Sequence, residues 1–427
     1  MDYNYNIIQK KKTNNLFRLF DYKTFLMCLM LIFIGLLSIY SATIMADPTA
    51  SLFYRQLTFA LIGLFVLLLV AEMPNYYLKD IAILFYLSTI MLLVLVLPFG
   101  SEVYGTKGWI RLGSWSLQPA EFAKISMLLM FAKHISKKGN NVSNIWDLSI
   151  ILGYFLPPFI LINLQPDFGT ALVLFVVLIG ILFWGGFDAF YILAFIFCGF
   201  MFIASLSSLH AAIIVGIVSL ISLLFFKKKK IVNLFTIAII TAVAFVSPIL
   251  YNSLAVHQKA RIDIFLNPGS DVLGAGYNVI QSLLAVGSGG IYGKGYLEGT
   301  LTQLRYIPMQ WTDFIYSVPA EEFGLIGSVI VLILLLSLVY RGVNIASVSR
   351  KYDVFNSIMA FGISTFLLFH IVVNVGMVLG VMPVMGIPLP FLSYGGTSLL
   401  TNLICVGILI NINMNNKKQQ MNQKPQL

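Results

Sequence analysis

The sequence predicts a single all-α domain that crosses a membrane many times. Hydrophobic residues make up 59% of the 427 residues, charged residues only 10%, and the mean hydropathy is +0.90. Soluble domains are about one quarter charged, so the two or three soluble domains that the length would allow are excluded. The short alternating segments of a membrane β-barrel are absent from the sequence. Twelve apolar runs along the chain support the helical fold class.

The twelve runs are near the length of about 20 residues that a membrane helix needs, although some are shorter. They start near residues 24, 56, 79, 119, 147, 169, 188, 209, 231, 323, 354 and 391. The first run follows a polar, basic segment and is long enough to span, so we expect no cleavable signal peptide. These boundaries predict a cytoplasmic tail 1–23, one transmembrane domain 24–412 and a cytoplasmic tail 413–427.

Basic residues orient the runs, because Lys and Arg concentrate in cytoplasmic loops. Lys10 to Lys12 and Lys23 place the N-terminus in the cytoplasm, and twelve crossings return the C-terminal "NNKKQQ" to the same side. The basic loops then fall inside, at 133–141, 227–230 and 341–351. The segments that fall outside are 44–55, 99–118, 251–322 and 379–392. Removal of the nearly uncharged hairpin 188–226 would leave the orientation of the rest unchanged.

Composition also excludes other classes of function. The net charge of +10 could indicate nucleic-acid binding, but the basic residues cluster between hydrophobic runs, so we predict no nucleic-acid partner. Cys28, Cys198 and Cys405 lie inside apolar runs, and therefore neither a disulfide nor a zinc site is predicted. The four histidines are scattered, and none has ligand spacing to another.

The outer loop 251–322 is long and rich in glycine, as in "GAGYNVIQSLLAVGSGGIYGKGYLEGT". Its stretch "NVIQSLLAV" has helix-like apolar spacing but is too short and too polar to span, which indicates an interfacial helix between turns. Long ordered loops often carry function. This loop is therefore the first place to search for site residues.

Three carboxylates lie within fifteen residues of this loop, in "QWTDFIYSVPAEEFG" at 310–324. Asp313 is flanked by aromatic residues and lies just before a span on the outer side. A carboxylate that is partly desolvated at the lipid surface suits a general base. The alternative is a helix cap, because acidic residues favour helix N-termini, and for Asp313 taken alone the cap is the favoured interpretation. Capping is the slightly favoured interpretation for Glu321 and Glu322, which also lie near a helix start.

Two further stretches carry charges near the outer surface. In "SLQPAEFAK" at 116–124, Pro119 and Glu121 suit the first helical turn, and Lys124 shares a helix face with Glu121. An ion pair inside a span indicates function, and snorkelling of the lysine to the surface is the competing explanation. In "LQPDFGTALVL", Asp167 lies at an outer turn, where a helix cap explains it.

Two other outer stretches suggest binding. "YGTKGWIRLGSWSLQP" presents Lys107, Trp109 and Arg111, a set that could hold a pyrophosphate and a sugar or anchor the chain to anionic lipid. "GVMPVMGIPLPFLSYGGTS" has three prolines and four glycines beside a span. Irregular backbone at membrane depth persists only where protein or a water-filled cavity covers it. The second stretch therefore predicts a lined cavity.

Taken together, these stretches resemble the SEDS family, named for shape, elongation, division and sporulation. "GWIRLGSWSLQPAEFAK", "QPDFGTA", "RIDIFLNP", "GAGYNVIQSLLAVGSGGIYGKG", "WTDFIYSVPAEEFG" and "PLPFLSYGGTS" occur in that family's order over about residues 24–412. "GVMPVMGIPLPFLSYGGTS" and "GTLTQLRYIP" resemble the RodA branch more than the FtsW branch. The resemblance implies a ten-helix core, which the extra hairpin 188–226 extends to about twelve transmembrane helices, with the large extracytoplasmic loop 251–322.

The resemblance also implies an activity, that of a peptidoglycan glycosyltransferase in the bacterial cytoplasmic membrane. Such an enzyme joins lipid II to glycan on undecaprenyl pyrophosphate during cell elongation, beside a class B penicillin-binding protein and other elongation-complex membrane proteins. Asp313 matches the family's essential aspartate and is expected to be the catalytic base. The expected substrate-binding residues are Glu121, Lys124, Lys107, Arg111, Trp109, Asp167, Glu321, Glu322 and Ser393. No nucleotide is needed, and a divalent cation, Mg or Mn, could be held by a carboxylate.

The sequence departs from the family pattern in two places. The hairpin 188–226 exceeds the usual ten spans, and Trp311 stands where a histidine is common before "TDF". Two other classes of function remain open at this point. A transporter of lipid II or an ion-coupled carrier is suggested by Glu121 and Lys124, and a non-catalytic scaffold for wall synthesis would not require Asp313.

Overall fold

The computed structural model describes residues 18–45, 49–103, 106–113, 115–137, 145–226, 228–253, 259, 262–263, 265 and 276–423. In these residues, twelve helices have 16 residues or more. They are α1 (Tyr22–Ile44), α2 (Ser51–Glu72), α3 (Asn75–Phe99), α4 (Pro119–Ser136), α5 (Ile145–Asn163), α6 (Phe168–Trp184), α7 (Ala189–Ser207), α8 (Leu209–Leu224), α9 (Lys230–Ser253), α13 (Gly324–Ser349), α14 (Val354–Val378) and α15 (Gly396–Gln423). Between α9 and α13, the described residues include three further short helices with assigned bounds: α10 (Tyr277–Ser288), α11 (Thr300–Gln303) and α12 (Ser317–Glu322).

The twelve long helices begin within about five residues of the twelve predicted starts. Nine helices in the described residues are long and apolar enough to cross a membrane. Of the other three, α6 and α8 are apolar but only 17 and 16 residues long. The third, α4, carries Glu121, Lys124 and Lys133. The helical fold is confirmed, and the number of crossings stays a prediction.

The segment between α3 and α4 adds a small antiparallel sheet to the predicted helical bundle, and the sequence did not predict these strands. Its strands are β1 (Ser101–Val103), β2 (Thr106–Leu112) and β3 (Trp115–Leu117), in that order. Ile110 pairs with Leu117 across β2 and β3, and Gly113 turns between them at a φ of +65°. A strand is recognised in a sequence by apolar and polar residues that alternate with a period of two. The strands here have so few residues, between two long apolar runs, that this alternation is difficult to detect.

The centre of the bundle is formed by α4 and α14. Helix α14 packs against α4, α6 and α13, and α4 also contacts α3 and α5. Nearly every residue of α4 between Pro119 and Ala132 is buried, although this helix carries two charges in its first two turns. A helix that is polar yet buried on all sides needs partners for those charges.

Both ends of the described chain lie at the same end of the bundle. Arg341, near the end of α13, binds both carboxylate oxygens of Asp21 before α1, at 2.6 and 2.7 Å. Asn413 in α15 donates to the same carboxylate at 2.7 Å, and Lys417 donates to the Leu19 carbonyl at 2.9 Å. The two termini therefore share a side, as the charge pattern predicts; residues 1–17 and 424–427 lie outside the described residues.

The predicted extra hairpin 188–226 is present as α7 and α8, and α9 packs on both. These three helices have their own apolar cluster, which is separate from the main core. Its buried members are Phe190, Ala194, Phe197, Met201, Leu223 and Ile240. Lys228 forms an ion pair with Asp188, the N-cap of α7, and so fixes the turn after α8 to the start of the hairpin.

The sidedness of the bundle is testable by cysteine labelling in a variant without Cys28, Cys198 and Cys405. We expect Lys228→Cys to resist a membrane-impermeant reagent added from outside, because the basic turns belong in the cytoplasm. Tyr292→Cys should react, since Tyr292 is 83% exposed in the loop at the opposite end. Labelling of position 228 from outside in sealed cells would overturn the orientation.

Candidate active site

Asp313 lies in a run of turns at 308–316, between α11 and α12. Helix α12 begins at Ser317 and has Tyr316 in its N-cap position, so Asp313 precedes the helix by four residues. The alternative interpretation of Asp313 as the cap of this helix is therefore wrong. Asp313 is half-buried, whereas the residues that follow it are buried.

The backbone of this turn is held from outside by three hydrogen bonds on three consecutive carbonyl groups. The donors are Tyr394 N to Trp311 O at 2.8 Å, Ser393 Oγ to Thr312 O at 2.7 Å, and Asn374 Nδ2 to Asp313 O at 2.8 Å. A turn fixed at three successive peptides has little freedom, so the direction of the Asp313 side chain is set by residues far away in sequence.

The donors Ser393 and Tyr394 belong to residues 379–395, which connect α14 to α15 without regular structure and which we name the irregular segment. Much of it is buried, including Ile387 and Leu392, so protein covers this backbone as expected. Gly386 has a φ of +68°, and a Cβ there would lie 3.6 Å from Asp313 Oδ2. The glycine leaves space directly beside the carboxylate; a lined cavity at this place stays a prediction.

Glu121 and Lys124 form the predicted ion pair on α4, with 2.8 Å between Lys124 Nζ and Glu121 Oε2. The Lys124 side chain is only 1% exposed, so the snorkelling interpretation is wrong. Lys124 Nζ also lies 3.4 Å from His370 Nε2 and 5.0 Å from the centre of the Phe366 ring. A buried lysine thus has a carboxylate, an imidazole and an aromatic face as partners.

His370 connects this pair to the irregular segment. Its Nδ1 lies 3.0 Å from the Pro388 carbonyl oxygen. A carbonyl can only accept, so Nδ1 carries the hydrogen and Nε2 presents its lone pair toward Lys124. The imidazole therefore joins α4 and the segment that lies against Asp313.

Asp167 caps α6, as predicted, by accepting hydrogen bonds from Thr170 N at 3.0 Å and Thr170 Oγ1 at 2.9 Å. It also accepts from Gln118 Nε2 at 2.8 Å, which ties α6 to the residue before α4. Gly169 lies against the irregular segment, because a Cβ there would be 2.6 Å from the Met385 carbonyl oxygen. Asp167, the start of α4 and the Asp313 turn therefore meet around one segment.

Lys107, Trp109 and Arg111 alternate along β2, so their side chains share one face of the sheet. Lys107 and Arg111 are exposed, and Trp109 is half-buried. Thr397 at the start of α15 links β3 to α4, since its Oγ donates to Ser116 O at 3.1 Å and accepts from Gln118 N at 3.3 Å. The two cations are exposed to an anion at the end of the bundle where α4 begins, and their binding of pyrophosphate or of anionic lipid stays a prediction.

Glu321 and Glu322 are both buried and both bind protein groups. Glu321 caps α11, accepting from Leu301 N and Thr302 N at 2.9 Å each, and pairs with Lys294 at 2.7 Å. Glu322 accepts from Ser41 Oγ, Leu297 N and Gln303 Nε2. These carboxylates hold the loop 294–303 against α1 and α12, which accounts for their position without a substrate contact.

The two neighbouring carboxyls differ in acidity for identifiable reasons. Burial alone would raise the pKa of Glu321, but Lys294 and the backbone N–H groups of Leu301 and Thr302 outweigh it and lower that pKa. Burial raises the pKa of Glu322, and the hydrogen bonds from Ser41, Gln303 and Leu297 oppose it only in part.

We expect Glu321→Gln to lower the stability of the fold by about 1–3 kcal/mol, because an amide NH2 would replace one of two oxygens that accept backbone N–H groups. The lowered pKa means that this contribution is complete above the usual carboxyl pKa of 4.5 and is lost as pH falls through the lower folded value. The difference in melting temperature between parent and variant should therefore begin to shrink as pH falls below about 4.5 and vanish below the lower folded pKa. A constant difference at all pH values would contradict the charge assignment.

Three residues of this region were not predicted from the sequence as part of the site: Lys294, His370 and Asn374. His370 and Asn374 are polar residues four apart within the apolar stretch "FLLFHIVVNVGMV", and that spacing places them on one helix face. Two polar residues on one face of an apolar helix indicate a buried polar contact, so the sequence alone could have identified them. Lys294 gave none, since its partner Glu321 is 27 residues away across glycine turns.

The described residues contain no group of three or more His, Cys, Asp or Glu that could hold a metal ion. A cation such as Mg²⁺ commonly binds through one or two carboxylates and substrate phosphates. The predicted divalent cation would accordingly need oxygens of a bound pyrophosphate as its main ligands, with at most one or two carboxylates of the site other than the proposed base. The protein groups present fit that arrangement and not a cage made of protein alone.

The fold and the site define a class of protein: a polytopic helical membrane protein whose carboxylate turn and buried ion pair meet around one irregular segment. A family model described as a cell cycle protein, for FtsW, RodA and SpoVE, matches residues 22–214 and 193–418. The chain belongs to this family, the SEDS family.

Several characterised proteins are similar over nearly their whole length. The peptidoglycan glycosyltransferase MrdB of Escherichia coli K12 is 33% identical, over 91% of this chain and 93% of that protein. The peptidoglycan glycosyltransferase RodA of Treponema pallidum is 34% identical, over 92% and 97%. Stage V sporulation protein E of Bacillus subtilis is 33% identical, over 90% and 94%.

Solved structures show the same fold. One chain of a peptidoglycan synthase complex, studied for the coordination of polymerization and crosslinking, matches with a TM-score of 0.69 and 28% identity, over 93% of this chain and 98% of that one. The rod shape determining protein RodA of Thermus thermophilus matches with a TM-score of 0.61 and 26% identity, over 93% and 97%.

Proposed function

We propose that this protein is a peptidoglycan glycosyltransferase that polymerises lipid II into β-1,4-linked glycan on the outer face of the bacterial cytoplasmic membrane during elongation. Relatives that bear this activity in their names support the proposal. The observation that carries it is the Asp313 turn, whose three consecutive carbonyls accept hydrogen bonds from other segments and whose carboxylate oxygen Oδ2 lies next to Gly386. A carboxylate carried by a fixed turn and flanked by a glycine is suited to act as a positioned base.

The proposed reaction is one displacement at a sugar carbon. The 4-hydroxyl oxygen of the acceptor N-acetylglucosamine forms a bond to C1 of the donor's terminal N-acetylmuramic acid. The bond from C1 to the pyrophosphate oxygen breaks, and C1 is inverted. Asp313 takes the hydroxyl proton, and undecaprenyl pyrophosphate leaves with the electron pair. A hydroxyl is a weak nucleophile, and a positioned base contributes about 10²–10⁴-fold to such a step.

Positive charge is needed where the pyrophosphate leaves. Lys107 and Arg111 supply exposed cations on β2, and Lys124 supplies a buried cation that Glu121 neutralises at rest. A bound divalent cation would add charge at the pyrophosphate oxygens. The pyrophosphate bond itself provides the driving force, so the reaction consumes no nucleotide.

The location and partners follow from the same proposal. Both termini lie in the cytoplasm, and the Asp313 turn lies on the opposite side. A structural neighbour belongs to a complex that couples polymerization with crosslinking, which supports a class B penicillin-binding protein as the transpeptidase partner. Other membrane proteins of the elongation complex are further expected partners.

A second candidate function is the transport of lipid II across the membrane. The observation that favours it is the buried chain of Glu121, Lys124 and His370 in the centre of the bundle, because transporters place ionisable groups there. In that case Asp313 would not be needed for a covalent step. A scaffold role would require neither the buried charges nor Asp313.

Purified protein with its class B penicillin-binding partner tests the proposal directly. We expect glycan chains from lipid II in detergent, where no membrane has to be crossed. Movement of fluorescent lipid II between the leaflets of sealed vesicles, without chain formation in either setting, would instead establish the transporter. If the purified complex shows neither chain formation nor movement of lipid II, the scaffold function is the remaining candidate.

A further inference from the structure

Asn374 makes the most specific contact to the proposed catalytic turn. It is fully buried in α14, and its Nδ2 donates to two backbone carbonyls, Asp313 O and Ile387 O, at 2.8 Å each. An amide nitrogen has two hydrogens, so both donors are used. The two carbonyls belong to different segments, and this one side chain joins them.

The second carbonyl matters because of its neighbour. Ile387 follows Gly386, the residue that lies against Asp313 Oδ2. The amide therefore fixes the backbone of Asp313 and the backbone that forms the wall of the space beside its carboxylate. Without the amide, the backbone at Asp313 and the backbone at Ile387 both lose this hydrogen bond. Helix α14 then no longer sets the distance between these two segments.

The same helix face also holds the buried ion pair. Phe366, His370 and Asn374 are spaced by four residues, so they form one stripe along α14. Phe366 and His370 contact Lys124, while Asn374 contacts the Asp313 turn one helical turn further on. One rigid helix thus sets the positions of the proposed base and of a proposed cation relative to each other.

We propose that Asn374 is a positioning residue for the transfer reaction, acting through Asp313 by joining the catalytic turn to the irregular segment at Ile387. This inference rests on the proposed function. Displacement of a reacting group by about 1 Å can cost about 10²-fold in rate. The role requires two donors on one nitrogen at this side-chain length, which Asn provides and Ser or Leu does not.

The central test is Asn374→Leu, which keeps the branched shape with four side-chain heavy atoms, is somewhat larger, and removes both donors. We expect kcat for lipid II polymerisation to fall about 10–10²-fold, while KM changes less than about threefold, since the substrate contacts remain. Asn374→Ser, which is smaller and keeps one hydroxyl donor, should be intermediate and provides the measurement if the leucine variant does not fold.

Asn356 is a matched control on the same helix. It is 1% exposed, and its Oδ1, like that of Asn374, is buried with no hydrogen-bond partner among the described residues. It lies eighteen residues earlier, which is five turns and about 27 Å along the same face. We expect Asn356→Leu and Asn356→Ser to leave kcat near the parent value, because Asn356 lies at the other end of α14 from the Asp313 turn.

A double-mutant cycle separates positioning from general damage. If Asn374 acts through the Asp313 carboxylate, Asn374→Leu should change the residual rate of Asp313→Asn by less than about threefold. A further loss as large as in the parent background would overturn the proposal, as would equal kcat losses at 356 and 374. Parent-like polymerisation by Asp313→Asn would instead refute the catalytic assignment, whereas an inactive Asp313→Asn with an unaffected Asn374→Leu refutes only this inference.

Discussion

Asp313→Asn is expected to lower lipid II polymerisation by about 10²-fold or more, while protein level and partner binding stay near normal. Asparagine has the shape of aspartate but cannot take the proton of the attacking hydroxyl. The backbone carbonyl of residue 313 remains, so the hydrogen bond from Asn374 and the geometry of the turn are preserved. The measurement is the rate of glycan chain formation per mole of purified complex.

The matched control for this change is Asp188→Asn. Asp188 caps α7 by accepting from Phe190 N at 3.0 Å, and asparagine caps about as well as aspartate. It lies at the end of the bundle opposite Asp313, so its polymerisation rate should stay near that of the parent. A parent-like rate for Asp313→Asn would show that no base acts at this position, and the transporter or scaffold function would then be preferred.

The second large effect concerns Lys124. We expect Lys124→Met to destabilise the protein by about 3–5 kcal/mol, because Glu121 would be left as a buried charge without its partner. Thermal unfolding in detergent measures this loss. The double variant Glu121→Gln with Lys124→Met should regain most of the stability, since no isolated charge remains. Its polymerisation should stay low, because the cation proposed to face the leaving pyrophosphate is still missing.

Exchange of the two residues separates charge balance from position. Glu121→Lys combined with Lys124→Glu keeps both charges but presents a carboxylate to His370 Nε2 in place of an ammonium group. Partial recovery of polymerisation relative to the single variants would mean that balance is sufficient. Loss as severe as in each single variant would indicate separate substrate contacts. Single substitutions that leave both stability and polymerisation intact would exclude the pair from the site.

The sequence was sufficient to predict the helices because each carries a long apolar run, and burial in lipid or protein imposes such runs. Basic loops predicted that the two termini share a side, and the cluster around Asp21 agrees. The sheet at 101–117 was missed, since seven residues of alternation in "TKGWIRL" carry too little signal against two adjacent long helices.

For the site, the sequence predicts contacts between residues spaced along one helix, but it does not predict contacts between residues of different helices. Glu121 and Lys124 are three residues apart, and their pairing was predictable. The links from Lys124 to His370 and from Asn374 to Asp313 span 246 and 61 residues, and only the packing of α4, α14 and the irregular segment brings them together. The roles of Glu321 and Glu322 were obscured for the same reason, because their partners lie in another loop and another helix.

The placement of Glu121 and Lys124 on one helix bears on how the protein is made. Translation at about 5–20 residues per second completes α4 roughly 10–50 seconds before His370, 246 residues after Lys124, leaves the ribosome. During that interval two charges must rest in the membrane without α14. Two opposite charges on a single helix can form an ion pair as soon as that helix is inserted. The same charges on separate helices would each stay unpaired in the membrane until the second helix is made. The order of synthesis thus favours keeping both charges on α4.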